Sequence, residues 1–111
     1  MMIGGIGNVK IYLCRRPVDM RCGYDTLAAL AANEFGEDPL SGALFVFLNR
    51  PRNRVKLFYH ESGGFVIWMK RLHEGSFALP PGDGDQQIID KGMLAMLLEG
   101  LKIVKMKRFQ L

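Results

Sequence analysis

Arg50, Arg52, Arg54 and Lys56 put four positive charges and no negative one into a short stretch, and the chemistry open to them is to meet an anion. Trp68, Lys70 and Arg71 follow a little later. Aromatic side chains beside phosphate-seeking cations bind unpaired nucleic acid by stacking, so these seven residues form a candidate nucleic-acid surface, set against the slightly favoured alternative that Phe58 and Trp68 form the floor for a helix while the cations line its rim. A second constellation is Asp19-Met20-Arg21. It reads either as a cap with a structural salt bridge or as a binding motif, and its role stays open.

The familiar arrangements for catalysis are missing from the sequence. His60 and His73 are the two histidines, and neither has a second ligand four residues away. Ser41, Ser62 and Ser76 lie outside any G-x-S-x-G frame. Ser62-Gly63-Gly64 lacks the lysine and following helix of a phosphate-binding loop. Asp19, Asp25, Glu61 and Glu74 have no spacing that supports a metal cluster. The expectation is a protein that is not an enzyme, with no catalytic residue, no metal, no cofactor and no small-molecule ligand. A metal-dependent nuclease is the least favoured alternative.

Three strands are predicted to position the basic residues. Ala43–Leu48, Val55–His60 and Phe65–Arg71 are rich in Val, Ile, Phe, Tyr and Trp, and the turn signals between them predict an antiparallel meander. A three-residue loop at Ser62-Gly63-Gly64 would set Lys56 opposite Lys70, Phe58 opposite Trp68 and His60 opposite Val66. One face would then be basic and aromatic. Val55, Leu57, Tyr59, Ile67 and Met69 would form the apolar core face. Arg50, Arg52, Arg54 and Arg71 would crowd one end of the sheet, where like charges facing each other across strands cost about 0.2–1 kcal/mol per pair.

Val9–Cys14 alternates as a strand that should join this sheet, and Tyr24, Leu27, Ala28, Ala31 and Phe35 predict a helix over Gly23–Glu34, capped by Gly36. Asp19 is expected as a helix cap or turn residue. Glu74–Pro80 reads as a short strand through Phe77 and Leu79, and Pro81–Asp85 as a linker. Asp90 is the expected N-cap of a second helix, Lys91–Glu99, whose Met93, Leu94, Met96, Leu97 and Leu98 cover much of its circumference. The expected fold is α+β: an antiparallel sheet of four or five strands, an N-terminal strand plus the meander, with two helices. Residues 1–8 read as a flexible lead-in, 9–103 as a single domain and 104–111 as a basic tail.

The net charge of +4 is modest, so its clustering in Arg50–Lys56 and in Lys102–Arg108 carries more weight than its size. No apolar run approaches the ~18–20 residues of a membrane span. The start shows no basic segment followed by an apolar one, so a cytoplasmic protein without a membrane partner is expected. Cys14 and Cys22 lack metal-site spacing and read as reduced thiols.

Several motifs in order resemble a known family. Pro17-Val18-Asp19-Met20-Arg21-Cys22-Gly23-Tyr24, Asp38-Pro39-Leu40-Ser41-Gly42, Arg54-Val55-Lys56-Leu57-Phe58-Tyr59, Lys70-Arg71-Leu72 and Leu97-Leu98-Glu99-Gly100 are similar to the small accessory protein, TnpB or Orf2 type, of bacterial insertion sequences of the sixty-six family. The likeness runs over about Val9 to Ile103. It implies a non-catalytic accessory part in DNA transposition and recombination, and the leading expectation is that the protein binds DNA, the transposase and other proteins of the same element, or both. The family pattern is aromatic at His60 and acidic at His73, and this chain departs at both. The alternative is a protein-only adaptor that docks through its Leu- and Met-rich second helix.

Overall fold

The computed structural model describes residues 8–100; the lead-in before Asn8, the end of the expected domain after Gly100, and the basic tail lie outside them. Five strands and two helices follow one another as β1 (Ile11–Cys14), α1 (Tyr24–Phe35), β2 (Leu44–Leu48), β3 (Arg54–Glu61), β4 (Gly64–Arg71), β5 (Gln86–Ile89) and α2 (Lys91–Glu99). The fold is α+β. Its sheet runs in the order β4-β3-β2-β1-β5.

All neighbours are antiparallel except β1 and β2, which pair in parallel with Ile11 opposite Leu44 and Leu13 opposite Val46. The reason is the helix between them. A strand that returns to the same sheet through a helical crossover comes back in the same direction. The fifth strand is Gln86–Ile89, which pairs antiparallel with β1, whereas Glu74–Pro80 forms no strand, only an isolated bridge at Ser76 beside a buried Phe77.

Both faces of the sheet are covered. Leu27 and Ala31 of α1 pack on Phe45, Phe47 and Phe58, while Leu94 and Leu97 of α2 pack on Leu13, Val46, Leu57 and Tyr59. Gly36 ends α1 in the left-handed conformation, φ 61°, as its place in the sequence predicts. Asp90 caps α2 by accepting the Met93 N–H at 2.8 Å. Gly23 rather than Asp19 precedes α1, and it gives no side-chain cap.

The β3–β4 hairpin differs from expectation by one residue. Its loop is Ser62-Gly63, with φ of 50° and 81°, and Glu61 pairs with Gly64. Positive φ at both loop positions is the two-residue hairpin geometry that matches strand twist. The slip moves every β4 side chain to the other face: Lys56 is opposite Met69, Leu57 opposite Trp68 and Phe58 opposite Ile67. Trp68 therefore joins the α2 core, and Met69, expected inside, is 52% exposed.

Candidate nucleic-acid interface

The parallel pairing of β1 and β2 brings their carboxyl ends side by side, and the antiparallel neighbours place the start of β3, the end of β4 and the start of β5 at that same end. Arg15 and Arg16 follow β1, Arg50 and Arg52 follow β2, Arg54 opens β3 and Arg71 closes β4. Distant stretches of sequence thus converge on one end of the sheet. A cleft of about 490 Å³ lies there, lined by Pro17, Val18, Asp19, Met20, Arg21, Asn49, Arg50 and Arg54. A second, of about 170 Å³, shares Pro17, Asn49 and Arg50 with it and adds Arg15, Arg16 and Arg52.

The arginine-rich turn is shaped by its own backbone and two asparagines. Asn49 Oδ1 accepts the N–H groups of Asn53 and Arg54, each at 3.0 Å, and Asn49 Nδ2 donates to Asn53 Oδ1 at 2.7 Å. The segment after β4 fastens the tip: Leu72 N–H donates to the Asn53 carbonyl at 2.9 Å and Phe77 N–H to the Arg52 carbonyl at 2.7 Å. Within this frame Arg52 sits at φ 58°. A non-glycine residue there costs about 1–2 kcal/mol, so glycine would be easier on the backbone than arginine.

The ion pairs of the described residues use two of these arginines, Arg16 with Glu34 and Arg21 with Asp19. Arg15 reaches across to the Pro80 carbonyl and Gln87 Oε1, at 2.9 and 2.6 Å. Arg50, Arg52 and Arg54 have no carboxylate partner among the described residues. Arg54 also lies directly opposite Arg71, so the end of the hairpin carries a like-charge pair.

The expected basic and aromatic surface is not a single face. Lys56 is buried on the α1 side, and its Nζ donates to the carbonyls of Met20 and Cys22, both at 2.7 Å. Lys70 is on the α2 side, where its Nζ donates to the Leu98 carbonyl at 2.7 Å. Both ammonium groups are occupied by backbone, and half-buried Trp68 packs against the α2 core. His60 stands opposite Phe65 with the rings edge-on, 5.3 Å apart, so it fills an aromatic role in the hairpin.

Lys56 fixes the loop that carries Asp19 and Arg21. Asp19 turns that loop by accepting the Arg21 N–H at 2.8 Å, and its carboxylate also takes Arg21 Nε, at 3.1 Å to each oxygen, and Nη2 at 2.7 Å. The Arg21 guanidinium, then the Arg21 N–H, hold the Asp19 carboxyl down at about 2. With the folded value below the unfolded one, any stabilisation from this group is present above about pH 4 and is lost as pH falls through about 2. A carbon-detected NMR titration of the Asp19 carboxyl is expected to show a midpoint near 2, moving back toward ~3.9 in Arg21→Gln.

Arg15 and Arg16 line the second cleft, and the pattern of basic runs did not single them out. The signal was the strand, helix, strand order, which implies two parallel strands whose carboxyl ends adjoin. Among the described residues no group of three or more His, Cys, Asp or Glu is placed to hold a metal ion. No helix there is long and apolar enough to cross a membrane.

The family model described as IS66 Orf2 like protein matches residues 9–108. The chain belongs to the IS66 Orf2-like family. Two relatives from Sinorhizobium fredii strain NGR234 share the length of this IS66 Orf2-like chain. The uncharacterized protein y4hO is 33% identical over 94 residues, 85% of this chain and 82% of its own length. The uncharacterized protein y4jC is 30% identical over 107 residues, 96% of this chain and 92% of its own. No solved structure matches. Membership places the chain with accessory proteins of insertion-sequence transposition, a family not known for catalysis.

Proposed function

We propose that this IS66 Orf2-like protein serves transposition by binding DNA through the arginine end of its sheet, with Arg50, Arg52 and Arg54 on the phosphate backbone. One observation carries the reading. Three arginines without carboxylate partners among the described residues stand on a turn whose shape does not depend on their side chains, and Arg52 is held at φ 58° where glycine would be less strained. Strain kept for the sake of an exposed cation fits a side chain that acts on something outside the fold. Arg71, opposite Arg54, extends the same surface.

Lys56, Lys70 and Trp68 enter this reading as supports. Their polar heads or rings are engaged with Met20, Cys22, Leu98 and the α2 core, so they hold the loops and the helix that frame the interface.

Fluorescence anisotropy of a labelled duplex across a salt series tests the proposal. Three phosphate contacts predict that log K falls against log salt with a slope of roughly −2.7. Binding that is flat with salt, or absent, would remove the interface.

The adaptor alternative rests on Met96, which α2 leaves 73% exposed while burying Leu94 and Leu97. Co-purification of tagged protein with the transposase that survives nuclease treatment, together with no salt-dependent DNA binding, would favour it.

A further inference from the structure

The Asp19–Arg21 pair does little for the fold. Its side chains are 51% and 91% exposed, and exposed pairs of this kind contribute little to stability. The loop beneath is already anchored, because Lys56 holds the Met20 and Cys22 carbonyls.

Nor does the pair suit a phosphate. A carboxylate fastened to the guanidinium cancels the charge that a phosphate would seek, and it repels the phosphate itself. Arg50 and Arg54 line the same cleft without such a neighbour among the described residues. Arg21 therefore differs from them in kind.

What the pair does suit is a neutral edge with two acceptors. Asp19 engages Nε and one side of Nη2, which fixes the guanidinium plane and leaves three hydrogens free of it, of which one on Nη1 and the remaining one on Nη2 point away as two parallel donors. In the major groove only guanine offers two adjacent acceptors, O6 and N7; adenine and cytosine present a donor, and thymine one oxygen beside a methyl group. Holding Arg21 in place beforehand also spares the rotamer entropy that ordering a free arginine would cost on binding.

We propose that Arg21, buttressed by Asp19, reads a guanine through O6 and N7 in the major groove while Arg50 and Arg54 hold neighbouring phosphates. This rests on the reading of the arginine end as a DNA interface, and it divides that interface into positioning contacts and a specifying one.

The test uses the full chain. Selection from a randomised duplex pool is followed by anisotropy on the selected duplex and on copies carrying adenine or 7-deazaguanine at the preferred guanine. The expected result for the unaltered protein is one enriched guanine whose replacement by adenine weakens binding by about 5- to 150-fold, with 7-deazaguanine also weaker. Arg21→Gln should lose that discrimination.

Asp19→Asn gives the sharper signature. It should lose most of the guanine preference yet bind random duplex at least as tightly, with a salt slope steeper by up to about 0.9 because the Arg21 charge is unmasked. A merely structural loop would weaken binding to every sequence alike. Salt-dependent binding without guanine preference would overturn this proposal alone. So would Arg21→Gln lowering all affinities equally with a slope flatter by about 0.9. No salt-dependent binding at all would remove the arginine interface itself, so the two failures are distinct.

Discussion

With Arg50, Arg52 and Arg54 all replaced by glutamine, the protein is expected to lose nearly all salt dependence of DNA binding while melting within a few degrees of the unaltered chain. Three lost contacts flatten the slope of log K against log salt by about 2.7, so between 50 and 200 mM salt the unaltered protein should weaken about 40-fold more than the variant. Stability should hold because the turn is made by Asn49, Asn53 and backbone groups, none of which is changed. Glutamine is chosen over glutamate because a reversed charge would add repulsion and exaggerate the loss. Arg52→Gly is a useful companion, since it removes the cation and eases the backbone at φ 58° together. A slope that stays steep in the triple variant would place the phosphate contacts elsewhere.

Leu57→Asp is expected to abolish the cooperative melt and drive the protein into aggregates, read by circular dichroism and size-exclusion chromatography. Leu57 is fully buried between the sheet and α2, in one cluster with Val46, Tyr59, Leu94 and Leu97. Truncating such a side chain costs about 2–5 kcal/mol, and an unpaired buried carboxylate adds more. A domain of this size has about 5–15 kcal/mol in all. Met69→Asp is the informative contrast. The observed register leaves Met69 52% exposed, so this charge should be tolerated to within about 0.5 kcal/mol; the register with a three-residue loop would have made it as damaging as Leu57→Asp. Equal damage from both would contradict the hairpin described above.

Long periodic segments were legible in the sequence for physical reasons. Both helices carried apolar residues at helical spacing and end signals at Gly36 and Asp90, and the structure uses both signals. The meander strands were legible because β-branched and aromatic residues cluster between turn residues. Register was harder to read, because Gly63-Gly64 offers two glycines for a left-handed position and serine is an unusual occupant of one. Gln86–Ile89 was invisible as a strand, being short and half polar, and its pairing with β1 is a long-range event that local pattern does not encode. The parallel β1–β2 pair could have been read, since a helix-length connection between two strands is what parallel pairing needs.

The candidate site divides the same way. The turn arginines were visible as a run, whereas their meeting with Arg15, Arg16 and the Asp19–Arg21 loop depends on topology. Lys56 and Lys70 looked like surface cations because charge is all that sequence reports. Only the fold shows that each ammonium is spent on backbone carbonyls.

The two-residue hairpin at Ser62-Gly63 also bears on which genetic changes this chain can absorb. Surface loops ordinarily tolerate added residues well, and this one is exposed and polar. Here, however, the loop acts as a counter for β4: one extra residue would shift the strand by one place, turning Trp68 and Val66 off the α2 core and carrying Met69 into Lys70's place and Lys70 into Arg71's. Two extra residues would restore the alternation. Substitutions and paired insertions should therefore pass through this site far more readily than single-codon insertions or deletions, so that length parity, more than composition, is what the hairpin must conserve.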